Sequence, residues 1–256
     1  MRLTQEHLLP TGWPATVQVR QTYRSHPANV TVSPGAAAAA GLTDSSVYGA
    51  FNLALHVDDD PASVLANRAM LLNLISADQI SWVNQVHGVS IHELKKPIYS
   101  SAVPDADAQL TNLKGSALAI MSADCLPIVL TDKAGSEVAV IHAGWRGLLA
   151  GIIEKTAGSM SQPAFGFIGA AIQQANFEVG AEVREAFIQA DAGYGGHFAA
   201  HGDKFLADLP GIALTKLRAL GVSATHDPTC SFADPACYSY RRDGVTGRMA
   251  VLAWIE

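Results

Sequence analysis

The sequence predicts an α+β fold, a single domain over residues 1–256 in which mixed β-sheets are covered by helices. Three observations carry that expectation. Short apolar runs of strand length, punctuated by Gly88, Pro97, Pro104 and Gly135, dominate the stretch from 80 to about 141. Longer segments of helical character lie on either side of it. No repeat, linker or low-complexity segment divides the chain apart from one alanine run.

Taken in order, residues 1 to about 50 read as irregular, and the alanines at 36–40, between Pro34-Gly35 and Gly41, read as a loop or a short helix. Asp60-Pro61 supplies an N-cap and a proline at the first helical position, and Val64, Leu65, Leu71, Leu72 and Ile75 come after, so a helix is expected over 61–76. Strands are expected at 80–86, 89–94, 117–122, 128–131 and 137–141. A glycine-led helix at 147–161 and a strand at 167–172 come next. Helices are expected at 178–190 and 204–220, and an apolar, buried strand at 249–255.

Composition narrows the function. The 256 residues are 49% hydrophobic and 16% charged, as in a compact globular chain. Apolar runs stop short of a membrane span, and the N-terminus lacks a basic segment followed by an apolar one, so a cytoplasmic protein is expected. The net charge of −6, with no basic run longer than Arg241-Arg242, argues against nucleic-acid binding. Cys125, Cys230 and Cys237 are odd in number and widely spaced, which suits reduced thiols better than a disulfide framework.

Three segments place a metal-competent side chain at the end of an apolar strand: His87 after Trp82-Val83-Asn84-Gln85-Val86, Cys125 after Ser122-Ala123-Asp124, and His142 after Val140-Ile141. Rigid strand ends opening into loops are where functional groups concentrate. The intervals, 38 and 17 residues, match no zinc-finger pattern, and a lone cysteine after a strand is more often a small buried residue. Two histidines and one cysteine in the same context, beside Asp124 and Arg146, favour convergence. Two imidazoles and one thiolate would leave a fourth position of a zinc ion open. Water acidified there could attack an electron-poor carbon such as C6 of adenine, with Asp124 shuttling the proton.

The strings NQVHG (84–88), ADCLPI (123–128), HAGWRG (142–147), FEVGAEVREAF (177–187) and SYRRDGVTGRMA (239–250), with YGAFNLALHVDDDP (48–61), resemble the laccase-domain family over about 48–256. That family is also called polyphenol oxidase or peptidoglycan editing factor. The resemblance implies an α/β/β/α sandwich like the catalytic domain of cytotoxic necrotizing factor, with Zn²⁺ on His87, Cys125 and His142. It implies phosphorolysis of adenosine, inosine, guanosine and methylthioadenosine, and deamination of adenosine. Phosphate would need arginine forks, for which Arg146, Arg241, Arg242 and Arg24 are candidates, with Asn52 in the same pocket.

The chain departs from the family pattern at Ser25-His26-Pro27 after Arg24, at Ala170-Ala171-Ile172-Gln173-Gln174, and at Ala233, where relatives carry a second cysteine. The first two changes are expected to reshape the pocket wall; the third argues against a second metal site. Rival readings are a hydrolase with Cys125 as nucleophile and His142 as base, a non-enzymatic peptidoglycan-editing factor, a folded paralogue without activity, and a copper polyphenol oxidase. Copper clusters need closely spaced histidine pairs, and the nine histidines include no His-x-His, so zinc is preferred.

Overall fold

The computed structural model describes residues 2–3, 8–25, 47–98 and 102–256. Strands β1 (Arg2–Leu3), β2 (Val17–Gln21) and β3 (Gln79–Ser81) join β6 (Ser116–Ser122) and β14 (Met249–Ile255) in a five-stranded sheet of order β1-β2-β14-β6-β3. Strands β4 (Ile91–Leu94), β5 (Ala108–Thr111), β7 (Leu126–Asp132), β8 (Val138–Ala143), β9 (Pro163–Ile168) and β13 (Ser223–His226) form a second sheet of order β13-β9-β7-β8-β5-β4. Both sheets mix parallel and antiparallel pairs. A small sheet of β10 (Glu178–Val179), β11 (Phe198–His201) and β12 (Lys204–Ala207) lies apart from them in the strand order.

The expected α/β/β/α layering is what the packing shows. Between the two large sheets, Val19, Leu118, Ile120 and Val251 meet Val129, Val138, Val140 and Phe167. The outer face of the first sheet, including Ala119, Leu252 and Trp254, is closed by Phe51, Leu53 and Leu71, the last on α1 (Pro61–Asn73). The outer face of the second, including Ile128, Leu130 and Ile141, is closed by α3 (Ile152–Ser159) and α5 (Leu209–Ala219). Each fully buried aliphatic side chain in these layers contributes about 1.5–3 kcal/mol. Strands buried on both faces explain why 116–122, 126–132 and 249–255 read as continuous apolar runs and not as alternating ones.

Several expected boundaries change. Helix α1 starts as expected, with Asp60 accepting from the Ala62 and Ser63 amides, but ends at Asn73. The helix expected at 147–161 is two: α2 (Trp145–Leu149) and α3, separated at Gly151, whose φ of 85° no helix continues through. The helix expected at 204–220 begins only at Leu209, because Lys204–Ala207 pairs with Phe198–His201 and Asp208 caps the helix that starts after it. Likewise Glu178–Val179 pairs with β12, and Gly180 precedes α4 (Ala181–Ala190). The irregular reading of 1 to about 50 is corrected at 17–21, a full strand beside β14. The alanine run 36–40 lies outside the described residues.

Candidate metal centre

Strand register assembles the site. The antiparallel pair β7·β8 sets Leu126 opposite Ala143 and Pro127 opposite His142, so Cys125, one residue before β7, arrives beside the end of β8. Strand β5 flanks β8 on its other side with Ala108 opposite Ile141, which brings Asp107 to His142. His87 comes from the loop between β3 and β4 and carries a left-handed backbone, φ 59°, uncommon outside glycine. What holds it there is Asp107, whose carboxylate accepts the amide N–H of His87 at 2.9 Å, of Gly88 at 2.6 Å and of Val86 at 3.3 Å.

The same carboxylate accepts from His142 Nδ1 at 2.8 Å, both side chains being buried. That bond leaves the other ring nitrogen, Nε2, as the one that can serve a metal, the arrangement by which outer carboxylates orient histidine ligands. One ligand atom each from His87, Cys125 and His142 lies within 4.8 Å of the others, and Cys125 Sγ stands 4.0 Å from His87 Nε2. Zinc bonds of about 2.3 Å to sulfur and about 2.0 Å to nitrogen at a tetrahedral angle would place S and N about 3.6 Å apart, so the Cys125–His87 pair needs a contraction of only a few tenths of an ångström. The donor set therefore fits a metal ion with an open position.

Electrostatics agree with that chemistry. Burial pushes the Cys125 thiol up, but the adjoining His142 and His87 rings outweigh it and draw the thiol down to about 6. Burial pushes His142 down, but the Cys125 thiolate and Asp107 raise it to about 9. Without an ion, the pair is thiolate and imidazolium between those values. A metal must expel the His142 proton, so affinity will rise about tenfold per pH unit between pH ~6 and ~9, flatten above, and fall more steeply below ~6, where the thiolate is also lost. Zinc titration calorimetry across that range measures the slope.

Gly144 closes the site from above. A Cβ there would sit 3.0 Å from Cys125 Sγ and 3.1 Å from His87 Cδ2, while its φ of −67° suits any residue. Gly144→Ala should therefore leave thermal stability near that of the natural protein while weakening metal binding by about tenfold or more, roughly 1.4 kcal/mol of ligand displacement.

The centre lies on the wall of a cavity of about 550 Å³ lined also by His56, Gln85, Met121, Trp145, Phe177 and Tyr240, with three arginines. Two of those arginines, Arg146 and Arg241, were expected from the sequence, and both are exposed. The third, Arg248, was not. Arg242 is corrected: its guanidinium donates to the Ser231, Phe232, Asp234 and Cys237 carbonyls and pairs with Asp243, so it knits the 231–243 turn together. Arg24 lies 3.8 Å from Asp243 and over the Tyr238 ring, away from the cavity lining. Asn52 is fully buried behind the pocket, bonded to Ala54, Asp59 and the Arg248 amide.

Asp124 does line the cavity, with φ 107°, yet its oxygens accept from Ser231 Oγ and the Arg241 amide, both at 2.7 Å. It fastens two loops, with each of its oxygens engaged by one of them. The pocket wall expected from residues 20–50 falls partly outside the described residues. The altered 170–174 segment brings Ile172 into the lining, its amide donating to the Asp124 carbonyl. Asp107 was missed because a lone acid before a strand carries no spacing signal, whereas His56 and Arg248 stand inside the strings 48–61 and 239–250 and only the folded cavity singles them out there.

A two-sheet α+β sandwich with Cys125 and His142 at strand ends, and His87 brought in from a loop because the strand expected at 80–86 ends at Ser81, defines a class of metal-competent proteins. The family model "Multi-copper polyphenol oxidoreductase laccase" matches residues 36–256, and the chain belongs to that family. A purine nucleoside phosphorylase of Pseudomonas aeruginosa is 39% identical over 255 residues, 97% of this chain and 98% of that protein. Purine nucleoside phosphorylase YfiH of Escherichia coli is 41% identical over 216 residues, 81% of this chain and 87% of that protein. The crystal structure of a Neisseria meningitidis protein superposes with a TM-score of 0.84 at 33% identity, covering 97% of this chain and 98% of its own. YlmD from Geobacillus stearothermophilus, at TM-score 0.75 and 24% identity over 94% and 93% of the two chains, shares the fold. Among the described residues no helix is long and apolar enough to cross a membrane.

Proposed function

We propose that the chain, acting as one domain over 1–256, is a zinc-dependent purine nucleoside phosphorylase that also deaminates adenosine. The observation that carries this reading is the convergence of His87, Cys125 and His142, backed by Asp107, on the wall of a nucleoside-sized cavity lined by aromatic rings and arginines. The relatives named purine nucleoside phosphorylase support the substrate class.

His87, Cys125 and His142 would hold the ion, whose chemistry is Lewis acidity and the acidification of water. The chain's own residues do the rest. Trp145, Phe177 and Tyr240 offer faces to a purine, and Met121 an adaptable apolar contact. Burial, reinforced by Arg248 and Arg68, holds His56 below its usual range, so it meets substrate as a neutral ring at pH 7. A pocket arginine fork holds phosphate against the ribose. A phosphate oxygen then bonds to C1′ as the C1′–N9 bond breaks, its electron pair leaves with the purine, and the base takes up one proton. In deamination, water adds at C6 and ammonia leaves.

Incubation with adenosine, with and without phosphate, tests the reading. Phosphate-dependent adenine and ribose 1-phosphate, with inosine in both cases, is the expected result. No product under either condition would overturn it. Stoichiometric copper in protein purified without added metal would overturn the zinc assignment.

A second reading has its own observation. Asp107, His142 and Cys125 form an acid–imidazole–thiolate line, the order of parts in a cysteine hydrolase. A chelator separates the two: it abolishes turnover in the zinc enzyme and leaves a thiol hydrolase working.

A further inference from the structure

We propose that Arg248 is the residue that binds inorganic phosphate in this pocket, an inference that rests on the phosphorylase reading. The three pocket arginines differ in how they are held. Arg146 is exposed and lies over Trp145, its guanidinium 4.4 Å from the ring centroid. Arg241 is exposed and already engaged: its Nη1 donates to the Glu178 carbonyl at 2.8 Å, it lies over Phe177, and its charge reaches Lys204. Both stand at the rim.

Arg248 is part-buried and close enough to Cys125 and Asp124 for their charges to act on it. It is also held in place. Its amide donates to Asn52 Oδ1 at 2.9 Å, its Nη1 donates to the Thr246 and Gly247 carbonyls at 2.9 and 3.0 Å, and its guanidinium lies 5.9 Å from the Tyr240 ring centroid. Among the described residues, Nε and Nη2 carry no protein hydrogen bond. One edge of the planar fork, with two donors, is thus left for an oxyanion, and a guanidinium fixed along its other edge loses little freedom on binding one. Asn52, fully buried and spent on Arg248 and its own loop, is the strut behind this residue and not a pocket contact. Arg248 forms no covalent bond; it positions phosphate on the side of the cavity that Cys125 and Asp124 line.

The test is titration of inorganic phosphate into the metal-loaded protein, monitored by ³¹P line broadening or calorimetry, with metal content and thermal midpoint measured on each variant. Arg248→Met should weaken phosphate binding by about tenfold to a hundredfold, the loss of charge-assisted hydrogen bonds, with metal content unchanged. Arg248→Lys, which keeps the charge and loses the fork, should fall between and serves where the methionine variant folds poorly. Arg146→Ala and Arg241→Ala should each shift it by less than about threefold. In turnover, Arg248→Lys should raise KM for phosphate more than KM for adenosine.

Phosphate affinity unchanged in Arg248→Met, or a large loss in Arg241→Ala instead, would overturn the assignment. Phosphate bound through Arg248 without phosphate-dependent adenine would sink the phosphorylase reading and keep the subsite. Phosphate-dependent turnover with phosphate constants unchanged in Arg248→Lys and Arg248→Met would sink the subsite and keep the reading.

Discussion

Cys125→Ala protein is expected to fold, to lose its metal and to lose adenosine turnover by about 10³-fold, or roughly 4 kcal/mol of barrier. The side chain belongs to none of the buried apolar clusters, so removing it leaves the layers between and around the sheets intact. What it does remove is the anionic member of the donor set and the charge that raises His142. Metal content by mass spectrometry, circular dichroism and a coupled assay for inosine and ribose 1-phosphate check the three parts separately. Full turnover by a metal-free, folded variant would refute the role assigned to the thiolate. A variant that keeps its role in the cell while losing turnover would favour the non-enzymatic, peptidoglycan-editing reading.

Asp107→Asn should produce the second large effect. The natural carboxylate accepts four N–H groups in a fully buried position, two through each oxygen: His142 Nδ1 and the His87 amide at Oδ1, the Val86 and Gly88 amides at Oδ2. These hydrogen bonds, against the opposing effect of burial, hold it below the usual carboxylate range. Asparagine offers one oxygen and one NH₂, so whichever way it turns, a donor faces a donor. A buried donor left unsatisfied costs about 1–3 kcal/mol, and the loss falls on the strained His87 turn and on the orientation of His142. Metal affinity should drop about tenfold to a hundredfold. Zinc competition against a chromophoric chelator, at a temperature where the variant is fully folded, reads this directly. A Co²⁺-loaded sample should show an altered ligand-field spectrum, which mere destabilisation would not produce. Unchanged affinity and spectrum would show that Asp107 only supports the fold.

The legible parts of this chain share a physical character. Strands 116–122, 126–132 and 249–255 are buried on both faces, so burial wrote them as continuous apolar runs. Helix α1 announces its start by local chemistry alone, an aspartate cap followed by proline. The elements that were misplaced are those whose state depends on a distant partner. Lys204–Ala207 has an apolar pattern that suits the helix after it, and it is a strand only because Phe198–His201 and Glu178–Val179 lie alongside. Val17–Gln21, Ala108–Thr111 and Ser223–His226 are short and include polar residues, and each is extended because a neighbouring strand satisfies its backbone.

The site divides in the same way. By itself the sequence determined the three candidate ligands, because His87, Cys125 and His142 stand in strand-end motifs that residue types and family resemblance together single out. Tertiary structure decided everything that depends on register: that β7, β8 and β5 lie side by side and bring Cys125, His142 and Asp107 to one edge. It also decided which arginines reach the cavity and which are spent on backbone carbonyls. Arg242 and Arg248 sit six residues apart in one motif, yet one closes a turn and the other lines the pocket. Side-chain type is a local property of the chain, whereas the partner that saturates a guanidinium or a carboxylate is supplied by strands far away in sequence.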